Sequence, residues 1–355
     1  MVRPKIKEYL DIFPMERDVY QVRGAEFLSV LRAKSIGQLF ENLLPLLNGE
    51  YTVEQIIEKL DGIAPPDTIR AIIKKLQVST ILEDAAENNG HGLPAEQAGA
   101  YRKQMLFFEI TSQRTNSAEC QKALQESKVS VIGGGELASK VALECAQAGI
   151  GTLIDVNLTG EALPALGGNG QKPATSELED IEAIERLMAT EPPSLIALAL
   201  DRPEPEILDR VNQLSQDYKI PLIHSRINGT EGIVGPLVIP GKTACLKCHH
   251  LRLVRNYDFY DEYVAWENWI KGEGRQKRSA APSTGPFTST IAGMTALEII
   301  KQLSGFYEPE LYGRFLTVNA LSFEVIPHPI LKIPRCPSCG NARGKIGPTP
   351  WLEKR

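Results

Sequence analysis

The 355-residue chain has no apolar run of the ~18 residues that a membrane-crossing helix needs, so none is expected. Its first residues, MVRPKIKEYLDIF, lack a long apolar core and a small-residue cleavage site. That argues against a signal peptide and for a cytoplasmic protein. The N-terminal unit, residues 1–85, has no basic run, and the formal net charge is −5. Both argue against a nucleic-acid-binding face as the main function. No internal repeat is visible. Cysteine is sparse, six in all, and in a cytoplasmic chain these suggest metal before disulfides.

What is present is organised around one stretch, KVSVIGGGELASKVALECAQAGIGTLIDV, residues 128–156. Val129–Ile132 is a short apolar run that enters Gly133-Gly134-Gly135. An amphipathic segment, Leu137–Ala148, follows, and a second apolar run, Thr152–Val156, carries Asp155. Strand, tight turn, helix and strand make a βαβ unit with the Gly-x-Gly-x-x-Ala form of the dinucleotide fingerprint. In such a turn, Gly133 and Gly135 let backbone N–H groups approach a phosphate, and the helix N-terminus adds partial positive charge. Downstream, Ile181–Met188 and Pro205–Tyr218 have helical spacing, and Ser194–Leu200, Ile220–His224 and Ile233–Ile239 read as strands. Alternation of this kind predicts a parallel sheet with helices on both faces.

The N-terminal part has a different texture. Tyr9–Met15, Asp18–Val22 and Phe27–Leu31 are short strand-like runs. Three helices follow. The first starts after Ser35 and ends at Asn48-Gly49. The second is capped by a Thr52/Gln55 box, and Pro65-Pro66 opens the third, with Ile69, Ile72, Ile73 and Leu76 on one face. Ile81-Leu82 can add a strand. Strands with three short helices predict a winged-helix unit over residues 1–85. Its third helix carries only Arg70, Lys74 and Lys75, too little for a DNA-reading surface. An exposed strand edge can instead accept an extended peptide. Residues 86–100, within the glycine-rich AAENNGHGLPAEQAGA, read as a flexible linker, and residues 101–345 as a second domain.

Cys245-x-x-Cys248 and Cys336-x-x-Cys339 are two knuckles on loops with proline or glycine nearby. Together they supply four thiolates for a closed, structural zinc site; reduced pairs and disulfides are the alternatives. His249 and His250 follow Cys248 directly and are further candidate ligands. Cys145 falls on the apolar face of its helix and reads as core. Cys120 sits in a polar helical stretch.

These motifs resemble two known families. The glycine turn, Asp155, Asp201 after the next strand, PLVIPGKTACLKC and GPFTSTIAGMTALEIIKQLSG resemble the ThiF-type (ubiquitin-activating-enzyme-like) adenylation fold over roughly residues 100–340. The resemblance implies ATP at Gly133, Gly135, Asp155 and Asp201, a four-cysteine zinc, and dimerisation through the sheet domain. LLPLLNGEYTVEQIIEKLDGIAPPDTIRAIIKKL resembles the peptide-binding RiPP recognition element of cyanobactin-type heterocyclases. That implies a leader peptide lying between Phe27, Leu28, Ser29, Val30 and Leu31 on one side and Ile69, Ile72 and Lys75 on the other.

The residues argue against a working adenylation centre. The family's Asn-Leu-x-Arg-Gln motif should follow Asp155, but VNLTGEALPALGGNGQKPAT has no arginine and only one lysine, Lys172. Arg202, a possible substitute, follows a different strand. Glu136 stands in the phosphate-facing turn. A carboxylate ~5 Å from a phosphate costs roughly 3 kcal/mol per unit charge at an effective dielectric of about 20. The segment Leu251–Thr288, where thioester-forming relatives keep a nucleophile, contains no cysteine. The expectation is therefore a non-catalytic subunit with no catalytic residues of its own. It would bind the leader of a ribosomally made precursor for a separate YcaO-type cyclodehydratase of thiazole/oxazole-modified peptide biosynthesis. No YcaO domain is expected within the chain. The alternatives are an ATP-dependent peptide-adenylating enzyme and a DNA-binding regulator.

Overall fold

A computed structural model of the chain describes residues 2–16, 18–25, 27–32, 37–88, 94–111, 116–157, 174–178, 181–272 and 281–340. Two compact units divide it, Met1–Glu119 and Cys120–Arg355. No helix among the described residues is long and apolar enough to cross a membrane.

In the first unit, strands β1 (Pro4–Ile6), β2 (Asp11–Glu16), β3 (Val19–Arg23) and β4 (Leu28–Arg32) come first. Helices α1 (Gly37–Leu43), α2 (Val53–Lys59) and α3 (Pro66–Val78) follow, then β5 (Leu82–Asp84). β2, β3 and β4 form an antiparallel sheet in that order, and β1 pairs with β5. The expected capping box is present: the Gln55 amide donates to Thr52 Oγ1 at 3.3 Å, and the Thr52 amide donates to Gln55 Oε1 at 2.9 Å. Pro66 opens α3 because its missing N–H would have no partner in the first turn. Val22, Phe40, Leu43, Ile56, Ile69 and Leu76 belong to one buried cluster, which welds sheet to helices. Ser35, the expected cap of α1, lies outside the described residues.

The expected linker contains two short helices, α4 (Ala85–Asn88) and α5 (Ala95–Ala100). Helix α6 (Arg102–Thr111), expected with the sheet domain, groups with the first unit. An ion pair of Arg102 with Glu8 at 2.9 Å ties it there. Helix α7 (Ser117–Glu126) spans the boundary.

The second unit is a mixed sheet wrapped by helices. Its elements are β6 (Lys128–Gly134), α8 (Glu136–Gln147), β7 (Thr152–Asn157), β8 (Ala174–Leu178), α9 (Ile181–Thr190), β9 (Leu195–Leu200), α10 (Pro205–Tyr218) and β10 (Leu222–Asn228). There follow β11 (Glu231–Val238), α11 (Leu246–Arg255), α12 (Tyr260–Lys271), α13 (Gly285–Ser304), β12 (Arg314–Asn319) and β13 (Val325–Pro329). The strand order is β13-β12-β11-β10-β9-β6-β7-β8. β10, β9, β6, β7 and β8 run parallel, as the alternation predicts. β11, β12 and β13 run antiparallel, which it does not. Asn228-Gly229, with the glycine at φ +65°, turns the chain straight back into β11 and leaves no room for a crossover helix. The order reverses at β6, whose neighbours are β7 and β9, so the crevice at their carboxyl ends is the topological switch point.

Candidate functional site

The first candidate surface is β4. In the β3–β4 hairpin the Gly24 amide donates to the Phe27 carbonyl at 2.8 Å. Antiparallel pairs alternate, so Val22↔Ser29 and Tyr20↔Leu31 exchange hydrogen bonds. Leu28, Val30 and Arg32 then turn their N–H and C=O groups the other way. No strand among the described residues pairs with that edge. Leu28 and Val30 are 67% and 48% exposed, an unusual apolar display for an edge strand. Phe27, Leu31 and Ile72 are half-buried against the unit's core, Ser29 is half-buried, and Lys75 is exposed. Ile69 departs from expectation. It is 0% exposed because the inward stripe of α3 is Ile69, Ile73 and Leu76, so it is core and cannot face a peptide.

The second is the glycine turn at the switch point. Gly133 lies where β6 meets β9, and a Cβ there would overlap the Ala199 carbonyl oxygen. Gly135 has φ +88°, and a Cβ would overlap the Asp201 carboxylate. The Leu137 amide, in the first turn of α8, donates to both Asp201 oxygens at 3.2 and 3.3 Å. The helix N-terminus therefore already holds an anion from the protein itself. Glu136 bonds Lys140 at 2.8 Å, and the same ammonium donates to the Gly285 carbonyl at 2.6 Å and Ser289 Oγ at 2.8 Å. Lys140 thus stands near the turn but is committed to fastening α13 onto α8. The sequence reading missed it, although Glu136 and Lys140 at i,i+4 are the signal for such a pair. Asp155 is buried on β7, level with Val131 and two residues short of the partner of Gly133. The segment expected to carry the Asn-Leu-x-Arg-Gln motif, including Lys172, lies outside the described residues.

The third is the cysteine cluster. All four sulfurs lie within 4.8 Å of one another. Cys245 stands 3.9 Å from Cys248 and 3.6 Å from Cys336, and Cys248 stands 3.5 Å from Cys339. Four thiolates at about 2.3 Å from one tetrahedral ion would be about 3.8 Å apart, whereas a disulfide needs about 2.05 Å. The spacing therefore matches a shared metal and excludes the disulfide alternative. Cys245 is the N-cap of α11, but its hydrogen bond to Cys248, followed by burial, pushes its own thiol above the ordinary range. The Cys245 side chain beside Cys248 holds that thiol below its ordinary range, and the Ile333 amide donates to the same sulfur at 3.3 Å. Neither neighbouring histidine joins the cluster. His249 packs on Phe315, and His250 meets Glu267 at 3.4 Å. Cys120 and Cys145 are buried elsewhere, and burial pushes the Cys145 thiol up to about 12, which makes it inert.

Sequence reading did not find a fourth feature, a cavity of about 60 Å³ between the ends of β9 and β10 and helices α10, α11 and α12. Its wall includes Arg226, His224, His249, Leu208, Tyr263 and Trp266. Burial first, and the Arg226 charge second, lower His224 to about 3. The folded protein keeps this imidazole neutral, while the unfolded chain takes up its proton below about pH 6.5. The stabilisation is complete above about pH 6.5 and is lost as pH falls from there towards 3. We expect His224→Gln to reduce the acid slope of unfolding free energy in that window by up to about 1.4 kcal/mol per pH unit. Urea unfolding across the window checks this, and an unchanged slope refutes it.

The fold, the glycine turn and the four-cysteine cluster define a ThiF-like α/β protein with an N-terminal winged helix. Residues 172–341 match the ThiF family, and residues 29–84 match a winged helix-turn-helix domain. The chain is 26% identical over 277 residues to protein HesA of Leptolyngbya boryana, covering 71% of this chain and 87% of that one. Among solved structures it resembles the heterocyclase TruD, with a TM-score of 0.65 and 21% identity over 96% of this chain. The chain spans 43% of TruD. It also resembles E. coli MccB, solved with AMPCPP and MccA, with a TM-score of 0.65 and 16% identity over 96% of this chain and 100% of that one. At these identities the two solved structures establish the fold.

Proposed function

We propose that this chain is a non-catalytic subunit. It captures the leader of a ribosomally made precursor peptide and presents the precursor to a separate YcaO-type cyclodehydratase, which forms azolines from Cys, Ser or Thr. The observation that carries this reading is the open edge of β4, whose bare N–H and C=O groups and exposed Leu28 and Val30 suit an added peptide strand. The likeness to a heterocyclase points the same way. In this reading Phe27 to Leu31, Ile72 and Lys75 line the leader, zinc holds Cys245, Cys248, Cys336 and Cys339 together, and the protein works in the cytoplasm, as a dimer through its sheet domain.

The likeness to MccB supports a second reading, an ATP-dependent peptide-adenylating enzyme. Glu136 in the turn argues against that reading, and Lys140, the cation beside it, is already engaged by Glu136, the Gly285 carbonyl and Ser289. Isolated full-length protein should support no ATP–pyrophosphate exchange with a precursor peptide present, and should bind the leader nonetheless. Robust exchange would establish the enzyme reading in its place.

A further inference from the structure

The cavity beside β10 serves neither the open edge, the glycine turn nor the cysteine cluster. Leu222, His224 and Arg226 alternate onto the sheet face that packs against α10 and α11, opposite the α13 face. Among the described residues the Arg226 guanidinium has no hydrogen-bond or ion-pair partner. The acids on the same wall are engaged elsewhere. Asp209 meets Lys247 at 2.8 Å, Glu267 meets Lys271 at 3.2 Å and His250 at 3.4 Å, and Glu204 meets Arg202 at 2.5 Å. His224 is 2% exposed, and its ring nitrogens make no hydrogen bond of good geometry, the Gly235 backbone being the one hydrogen-bonding group that acts on the imidazole. His249 Nε2 is equally buried and unpartnered.

Such groups are costly to leave unsatisfied, and here they share one cavity. A guanidinium without a counter-ion, with a buried neutral imidazole beside it, makes an anion subsite, and the planar fork of arginine matches a carboxylate best. Leu208, Leu253 and Trp266 give the opposite wall an apolar surface. A cavity of about 60 Å³ has room for a few waters or for the carboxylate end of a small acid, whose hydrocarbon would then lie at the mouth. The histidines do not form a metal site: among the described residues, only the four cysteines converge with ligand geometry.

We propose that this cavity binds a small monocarboxylate with a compact apolar body, its carboxylate on Arg226 and His224 and its hydrocarbon against Leu208, Leu253 and Trp266. The carboxylate can belong to a free acid or to the end of a peptide. The site bears on α11, which supplies Leu246, His249 and Leu253 to the wall and begins at Cys245.

Saturation-transfer NMR on the full-length protein tests this with 3-methylbutanoate, its neutral amide, and N-acetyl-leucine. A carboxylate probe should bind about tenfold or more tightly than the amide, and Arg226→Gln should remove most of that preference. Binding of 3-methylbutanoate assigns the site to free acids, and binding of N-acetyl-leucine alone assigns it to peptide ends. In the unsubstituted protein, the bound acid should shift the ring-nitrogen signals of His224, which keeps the test decisive even where Arg226→Gln fails to fold. Acid and amide binding equally well, neither acid binding, or unmoved His224 signals would overturn the proposal.

Discussion

If β4 receives a precursor's leader as proposed, a Val30→Pro chain should bind that leader about tenfold or more weakly than the wild type while keeping its own fold. The alternation along β4 makes this a specific expectation. Val30 lies opposite Gln21 in a pair that exchanges no hydrogen bonds, so its N–H points to the open edge. Proline removes that donor and leaves the β3–β4 ladder complete, and an edge strand tolerates it. Loss of one strand-addition bond, with the ring obstructing its neighbours, gives about the stated factor. Ser29→Pro is the contrast, because Ser29 bonds to Val22 and its substitution should unfold the hairpin. Fluorescence polarisation with labelled leader measures the first effect, and circular dichroism the second. Undiminished binding by Val30→Pro would remove β4 as the docking edge.

Purified protein should contain about one zinc per chain, and Cys245→Ser or Cys336→Ser should release it. Each substitution leaves three sulfurs crowded within a site built for four. The remaining sulfurs, Cys248 and Cys339 still 3.5 Å apart, then take up protons, and the cross-link between the two loops is lost. We expect the sheet unit to lose several kcal/mol of stability, measured by denaturant unfolding beside elemental analysis of metal content. The buried sheet core is large enough that the loss should loosen the loops at α11 and after β13 before it unfolds the strands. A metal-free chain with unchanged unfolding would refute the site.

Much of the fold was legible in the sequence. The Thr52/Gln55 box, Pro65-Pro66 and the glycine turn are local rules, and local geometry satisfies them. The paired Cys-x-x-Cys knuckles were legible for the same reason, since their chemistry has few alternatives. What failed was non-local. Ile69 and Ile72 look alike in a helical pattern, and only the tertiary fold separates Ile69, within the buried cluster, from Ile72 at its flank. β8, with its polar sequence ATSEL, and β13, with two prolines, carry no apolar run; they are strands because a neighbour offers its edge. The cavity was hidden because β10 continues past His224 to Asn228, and only that extension brings Arg226 onto the same face. Asp201 was read as a nucleotide ligand, yet which amide its carboxylate would meet depends on where β9 ends relative to β6.

Cys245 and Cys336 are 91 residues apart in the chain, yet their sulfurs are 3.6 Å apart. With a metal on the cluster, α11, α12, α13, β12 and β13 lie within one closed circuit of polypeptide. A protease that cuts once inside the circuit produces two chains on a denaturing gel but a single particle by light scattering. Chelation is then the second cut: it opens the circuit and leaves the two pieces held by noncovalent contacts, such as those of α13 with α8 and of Arg252 with the Leu331 carbonyl.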